Sequence, residues 1–587
     1  MMNKQSRDLR GLLSIAWLFA DAAIAAALAG PAETLLLYVL SPERPLTLGD
    51  ALATWLAVLP QVFVIFILLG PALVLLGTLL SVGRTTRLGL SVSYILRFAL
   101  IDAILLALAT AAQWRTIGPL LPGRGQVALA LMTTALALAA LVLFVLALRD
   151  FLRPRHTEAP WLVAVCIAVA IALAAAVEIR RVHYAAPEAL DLPGVTLSHK
   201  LLIVEIPGLG PQAFREYAER GIVPAFAQLA RKGVFFPVAA RGVADSLALH
   251  GSLVTGQGVE RHGLFGAVRY RPLGDQRSFA VLPRGLFLRP LLHTPLWKKI
   301  PVDHRALRSV ALAGIARSLH IDTALLSDPL GWPAPTPASW VLAEGALKPG
   351  ARLQLPGQTH PLVCPDPGDV AGLLFDPIAD ELPESPRLAT LLRAALSRDL
   401  CALDAATRAL ASDRFGIVHT RLSGYYDVAY QFAGWRRGSP ARAVSDIEIS
   451  AWGRVLPRYA ARLAKPLELL LREDGADRLV VLVSAHGMNP RTDLGRLEEV
   501  LTGAMGPTGS HADLPPGLIV LSGSTARRGA REEHAMQLSS VLPTLLWLCS
   551  LPIADDMGPI ETRVVDPASR PDPPSHLPSY AMAGVGS

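Results

Sequence analysis

The chain has 587 residues, of which 52% are hydrophobic, with a mean hydropathy of +0.41 and a formal net charge of +7. The apolar excess is concentrated in roughly the first third of the chain, which excludes a wholly soluble globular protein. Arg flanks the apolar segments instead of forming a basic stripe interleaved with aromatic residues, so nucleic acid is excluded as a partner. The four cysteines are too few for a disulfide framework and carry no metal-binding spacing.

In chain order, apolar runs recur over 11–30, 55–82, 90–112, 126–148 and 160–178. Each approaches or exceeds the ~20 residues a helix needs to cross ~30 Å of hydrocarbon. They predict a membrane domain over 1–184 with about five transmembrane helices, too many for a signal peptide. The second run carries Pro60, Gly70 and Pro71, which predict a tilt or kink, and Thr34–Leu40 is too short to span and is assigned to the interface. Lys4, Arg7 and Arg10 precede the first run, Arg84 and Arg87 follow the second, and Arg149, Arg153 and Arg155 follow the fourth. The alternate connections are poorer, with Arg44 and then Arg115 and Arg124; Arg180 and Arg181 run weakly against the trend. The bias predicts a multi-pass plasma (inner) membrane protein in contact with lipid, with a cytoplasmic N-terminus and an extracytoplasmic, periplasmic C-terminal domain. Asp102, inside the third run, is either a helix-packing partner or a functional acid.

From His199 the pattern changes. LLIVEI (201–206) reads as a buried strand, followed by a helix ending near Gly221 and a second helix, VPAFAQLARKG, ending at Gly233. SVALAGI (309–315), FGIVHTRL (415–422), DRLVVLVS (477–484) and GLIVLSG (517–523) read as further strands. Near-continuous apolar strands alternating with helices predict an α/β/α sandwich with a mainly parallel sheet over 195–565. Residues 270–410 read as a less regular elaboration and 566–587 as a disordered Pro/Ser-rich tail. Active sites of such sheets gather beyond the carboxyl ends of strands, which singles out the segments after Ile206, Leu422 and Ser484 and around Gly509–His511. Cys364 and Cys401 are either paired in an oxidising compartment or two free buried thiols.

The most informative stretch is ADSLALHGSLVTGQGVERHGLFG, residues 244–266. It resembles the nucleophile segment of the alkaline-phosphatase superfamily, in its type I phosphodiesterase/nucleotide pyrophosphatase branch. LLIVEIPGLG resembles that branch's opening strand and metal loop, VPAFAQLARKGV its P-x-x-x-x-L-x-x-x-G helix, and LVVLVSAHGM its SDHG loop. GSHADLPPGLIVLSG resembles the late His segment and SSVLPTLLWLCSLPIADDM the terminal helix. The six motifs stand in the family's order over roughly 200–565, with a poorly matched middle.

The resemblance implies an alkaline-phosphatase-like fold and a site with two bridged divalent metals, usually zinc, that activate a Ser or Thr oxygen for in-line attack on phosphorus. It places Ser246 at the nucleophile position, where a helix N-terminus would favour a phosphate; without the motif, Ser246 would read as a helix cap. The resemblance also exposes losses. The family's first metal-ligating Asp is Pro207 here, and the Asp of SDHG is Ala485, which leaves His486. Asp427 matches the Asp of Asp-x-x-x-His, but Tyr430 or Gln431 replaces the His, and His511 matches the remaining ligand. Possible rescue comes from Glu205, about 7 Å deeper on the first strand, from Asp245 and from His250, in a one-metal site using Asp427, His511 and either His250 or His486. Otherwise His250, His262 and His419 read as packing or hydrogen-bonding residues.

Two functional readings follow. One is a degenerate, membrane-anchored phosphodiesterase/phosphatase-like protein with a binding or assembly role outside the cytoplasm, engaging a phosphate-containing ligand or a membrane protein partner and needing no cofactor. The alternative is an active hydrolase or transferase that uses zinc or another divalent metal and Ser246 on lipid-linked phosphate groups. Its architecture would be similar to lipoteichoic acid synthases and phosphoethanolamine transferases. A transporter is disfavoured by the sparse polar content of the apolar runs.

Overall fold

The computed structural model describes residues 2–41, 44, 46–80, 92–118, 121, 123–152, 159–179, 188–242, 244–280, 292, 294–331, 340–365, 385–435, 452–472, 478–491, 508–511, 513–569 and 571–581. The chain divides into two units, Met1–Tyr184 with Val268–Pro301, and Ala185–Ala267 with Val302–Ser587.

The first unit is built on five helices: α1 (Met2–Val39), α2 (Leu48–Leu80), α3 (Val92–Thr116), α4 (Gly123–Leu152) and α5 (Ala159–Ile179). A backbone in hydrocarbon must satisfy its own polar groups, and Ala/Leu-rich segments do so as helices. Among the described residues, four stretches are long and apolar enough to span a membrane: Phe19–Val39, Leu48–Ile67, Ile95–Trp114 and Gly123–Arg149. α5, Ala159–Ile179, stands where the fifth crossing was expected, with Val163–Ile179 as its apolar stretch among the described residues. The helix of the first expected crossing, α1, contains 11–30 and continues through Pro31 to Val39. Thr34–Leu40 is therefore no separate interfacial segment: residues through Val39 belong to that helix, and Leu36–Leu40 are buried. α2 likewise runs through Pro60 and Pro71 as one helix. Asp102 and Glu33 are both buried in this unit, while Arg84, Arg87, Arg153, Arg155, Arg180 and Arg181 lie outside the described residues.

An antiparallel hairpin, β3 (Val268–Pro272) and β4 (Trp297–Pro301), also belongs to the helical unit. Trp297 Nε1 donates to the carbonyl of Ala57 at 3.1 Å. The Arg44 guanidinium pairs with Asp275 and stacks on Phe279, 3.9 Å from the ring centroid. The start of the 270–410 elaboration is thus claimed by aromatic and ionic contacts to the helices.

The second unit carries a nine-stranded sheet. Its strands are β1 (Lys200–Glu205), β2 (Val234–Ala239), β5 (Thr323–Asp328), β6 (Trp340–Ala343), β9 (Ile417–Arg421), β10 (Arg478–His486), β13 (Pro516–Ser522), β14 (Ala530–Arg531) and β15 (Met536–Gln537). Smaller pairs are formed by β7 (Arg352–Leu353) with β8 (Leu362–Val363), β11 (Asn489–Pro490) with β12 (Gly509–Ser510), and β16 (Ile553–Ala554) with β17 (His576–Leu577). The order is β14-β2-β13-β10-β1-β9-β5-β6, with β15 on β2. All pairings from β10 to β6 are parallel, whereas β13 runs antiparallel to both β10 and β2. The sheet is mainly parallel, as the apolar strands predict.

Side chains alternate across the sheet with period two. Leu202 and Val204 enter one core with helices α6 (Pro211–Glu219), α7 (Pro224–Lys232), α11 (Ser385–Ala411), α12 (Ser423–Phe432) and α13 (Val455–Leu471). Leu201 and Ile203 enter the other with α8 (Ser246–Thr255), α10 (Leu312–Ser318) and α14 (Val541–Leu548). α9 (Val259–His262) follows α8. The result is an α/β/α sandwich. Gly233 closes α7 as expected, but with extended backbone; a side chain there would meet the carbonyl oxygen of Leu521 at 2.2 Å.

Two expectations are corrected. SVALAGI is not a strand: it leads into α10, and the strand is the next apolar run, TALLSD, in β5. A run this short is ambiguous by periodicity, and the Ala, Gly and Arg that follow carry the chain on as a helix. The tail is ordered through Ala581, because His576 and Leu577 pair with Ile553 and Ala554 and the Tyr580 hydroxyl donates to the Pro552 carbonyl at 2.6 Å.

Candidate functional site

Strands β1 and β9 are parallel neighbours whose register sets Glu205 opposite Arg421 and Ile203 opposite His419. With side chains alternating, Glu205, His419 and Arg421 share the face covered by α8. α8 begins at Ser246, capped by Asp245, whose carboxylate accepts from the Leu247 and Ala248 amides at 2.9 and 3.2 Å. It ends at Gly256, whose φ of +67° favours glycine.

The cluster is held by ion pairs. His250 Nδ1 lies 2.8 Å from Glu205 Oε2, and Arg421 Nε donates to Glu205 Oε1 at 3.2 Å. Arg421 Nη2 donates to Ser246 Oγ at 2.8 Å, and Nη1 to Glu344 Oε2 at 3.4 Å. Glu205, His250, His419 and Arg421 are all buried, Arg421 at 5% exposure. Burial alone would raise the Glu205 carboxyl, but His250 and Arg421 hold it well below the usual carboxylate range. Burial would lower His250, yet Glu205 and Asp328 lift it to about 9, so it is a cation at neutral pH.

A second group lies beyond the carboxyl end of β10. His486 and His511 stack at 4.9 Å between centroids, with Tyr426 presented edge-on to both. His486 Nδ1 is 2.8 Å from its neighbouring Gly487 carbonyl. His486 Nε2 and His511 Nδ1 have no hydrogen-bond partner among the described residues. Burial, together with His511, pushes His486 down to about 4, and burial also lowers His511. These are two neutral imidazoles. Asp427 is elsewhere in the arrangement: it pairs with Arg398, which also approaches Glu344 at 3.8 Å.

The candidates from sequence therefore fall into groups. Ser246 and Glu205 are joined through Arg421, and His250 is joined to Glu205; His486 and His511 are joined to each other; Asp427 is joined to Arg398; Asp245 caps its helix. Pro207, in the turn after β1, and buried Ala485 offer no side-chain donor. His262 takes a structural place, with Nε2 2.9 Å from Ser252 Oγ. Sequence reasoning missed Arg421, Asp328, Glu344 and Tyr426. The available signal was a charged residue at the end of each of two apolar strands, Glu205 and Arg421, an arrangement that burial permits only as a pair.

The residues present do not fit a pair of divalent cations. A guanidinium already hydrogen-bonds the Ser246 oxygen, both Glu205 oxygens face cationic partners, and Asp427 is neutralised by Arg398. Among the described residues, no group of three His, Cys, Asp or Glu side chains is placed to hold a metal, including the one-metal combination of Asp427 with His511 and His250 or His486.

Residues 201–360 match the type I phosphodiesterase / nucleotide pyrophosphatase family. That segment contains Glu205, Pro207, Asp245, Ser246 and His250, whereas Asp427, Ala485, His486 and His511 lie beyond it. No curated protein matches the chain. Among solved structures, the chain is similar to a four-substitution mutant of the alkaline phosphatase PafA, at 10% identity and a TM-score of 0.41, covering 64% of this chain and 100% of that one. It is also similar to an inactive form of a murine ectonucleotide pyrophosphatase/phosphodiesterase in complex with AMP, at 14% identity and a TM-score of 0.33, covering 62% and 97%. The chain thus resembles the type I phosphodiesterase/nucleotide pyrophosphatase family over its matched segment, and it combines a mainly parallel α/β/α unit with helices long and apolar enough to span a membrane.

Proposed function

We propose that this is a membrane-anchored, catalytically degenerate phosphodiesterase-like protein whose outer unit serves binding or assembly outside the cytoplasm. The observation that carries the reading is Arg421. Its buried guanidinium is hydrogen-bonded to the oxygen at the nucleophile position and ion-paired to Glu205. A fixed cation there opposes a divalent metal by like-charge repulsion, and the hydroxyl accepts a hydrogen bond instead of facing a Lewis acid. Pro207 and Ala485 remove two further donors. Losses among groups that act together leave little catalysis, because such groups fail as a unit.

The compartment is supported by two observations. Cys364 and Cys401 form a disulfide, which persists in oxidising compartments. The Lys/Arg bias favours a cytoplasmic N-terminus, and a crossing by α5 would then carry the second unit outside. Membrane lipid, a phosphate-containing ligand and a membrane protein are the partner classes this reading admits.

The test is hydrolysis of bis-nitrophenyl phosphate by the purified full chain, with zinc or manganese added, beside Ser246→Ala. The expected result is no turnover above that of Ser246→Ala. Metal-stimulated turnover that disappears in Ser246→Ala would establish the alternative, an active hydrolase or transferase working through Ser246.

A further inference from the structure

The second unit has an open cavity of about 430 Å³ on the α8 and α10 side of the sheet; His250, His419 and Asp328 line it, but neither Ser246 nor Arg421 does. We propose that this cavity binds a single-chain amphiphile, an aliphatic tail carrying an anionic head. Its size is that of a small-molecule site. Its buried walls are aliphatic along Val254, Leu312, Leu325 and Leu330, and polar where His250, His419 and Asp328 reach it.

The charge at the mouth chooses the head. Arg305 and Arg317 line the cavity and are exposed, and neither has an ion-pair partner among the described residues. The acids lining it are Glu188, also exposed, and Asp328. Asp328 is already engaged, accepting from the Leu330 amide at 2.8 Å and lying 3.5 Å from His250 Nε2. Two cations against one free acid at the mouth, above an interior with an aliphatic wall of Val254, Leu312, Leu325 and Leu330, match an anion on a hydrocarbon chain. Such side chains bind carboxylate and phosphate alike.

This site is separate from the reading of Ser246 as inactive, and its test does not measure hydrolysis. The full chain is reconstituted in phosphatidylcholine nanodiscs and titrated calorimetrically with octanoate and with octyl phosphate. Octanol, inorganic phosphate and protein-free nanodiscs serve as controls. Saturable binding of at least one alkyl anion is expected, with octanol and inorganic phosphate weaker by about tenfold or more. The double variant Arg305→Glu/Arg317→Glu changes only exposed side chains and should weaken the alkyl anion by a similar factor. Ala313→Leu, which narrows the cavity from its wall, should weaken it without altering the arginines. Binding by neither anion overturns the proposal, as does equal binding by the charge-reversed variant. Inorganic phosphate binding as tightly as octyl phosphate also overturns it. Which of octanoate and octyl phosphate binds more tightly distinguishes a carboxylate from a phosphate source.

Discussion

Arg421 and Glu205 face one another at the carboxyl ends of adjacent strands, each buried and each the other's counter-ion. Removing one member of a buried pair leaves an uncompensated charge, at a cost of about 3–5 kcal/mol. Arg421→Met should therefore lower the urea midpoint of the full chain, followed by pulse proteolysis, far more than Ser246→Ala, which loses one hydrogen bond of about 1 kcal/mol. Equal, small shifts would contradict the central place given to Arg421. The histidines set opposite pH limits. His486 and His262 have folded pKa values lowered to about 4 and about 3, below the ordinary 6.5. The unfolded chain binds more protons, so their contribution is present above about 6.5 and is lost as the pH falls through their folded values. His250, raised to about 9, does the reverse: its contribution is complete below about 6.5 and is lost as the pH rises through 9. The same proteolysis series across pH 4–10 should give a dome, and His486→Asn should flatten its acid side. A stability that rises steadily from pH 7 to 10 would be inconsistent with a charged His250.

At the scale of elements, disulfide removal gives a direct prediction. The bond between Cys364 and Cys401 joins the β8 region to α11 across a separation of 37 residues. Replacing both cysteines by Ser should cost about 2–4 kcal/mol. Under denaturing, non-reducing conditions, thiol labelling of the unaltered chain should count two cysteines, Cys166 and Cys549; four would refute the bond. Sequence left this pairing open because two isolated cysteines specify neither partner nor compartment. It made β1, β9, β10 and β13 legible, since each is an apolar run of strand length bounded by turn residues. It did not give β13's antiparallel direction, which depends on the chain's route over the sheet. Nor did it separate SVALAGI from TALLSD, two short runs alike in composition. Candidate site positions could be named from sequence where a motif supplies them, as at Ser246, Pro207 and Ala485. The site was illegible where strand register creates the contact, as between Glu205 and Arg421.

For the whole molecule, side-of-membrane assignment turns on α5. At 21 residues it is the shortest of the five helices, and one crossing more or less moves the C-terminal unit to the other side. With α5 spanning, an N-terminal reporter should read cytoplasmic and a C-terminal one extracytoplasmic; both reporters on one side would mean that α5 does not cross. The site in the second unit either holds a metal or is closed to one by Arg421. The choice is tested most directly by zinc titration of the full chain, read as bound metal per chain, for three proteins: unaltered, Pro207→Asp/Ala485→Asp, and that pair with Arg421→Met. The account predicts no stoichiometric zinc in the first, little gain in the second and a clear gain in the third, because the guanidinium must leave before a metal can enter. Stoichiometric zinc in the unaltered chain, lost on Ser246→Ala or His486→Ala, would contradict it.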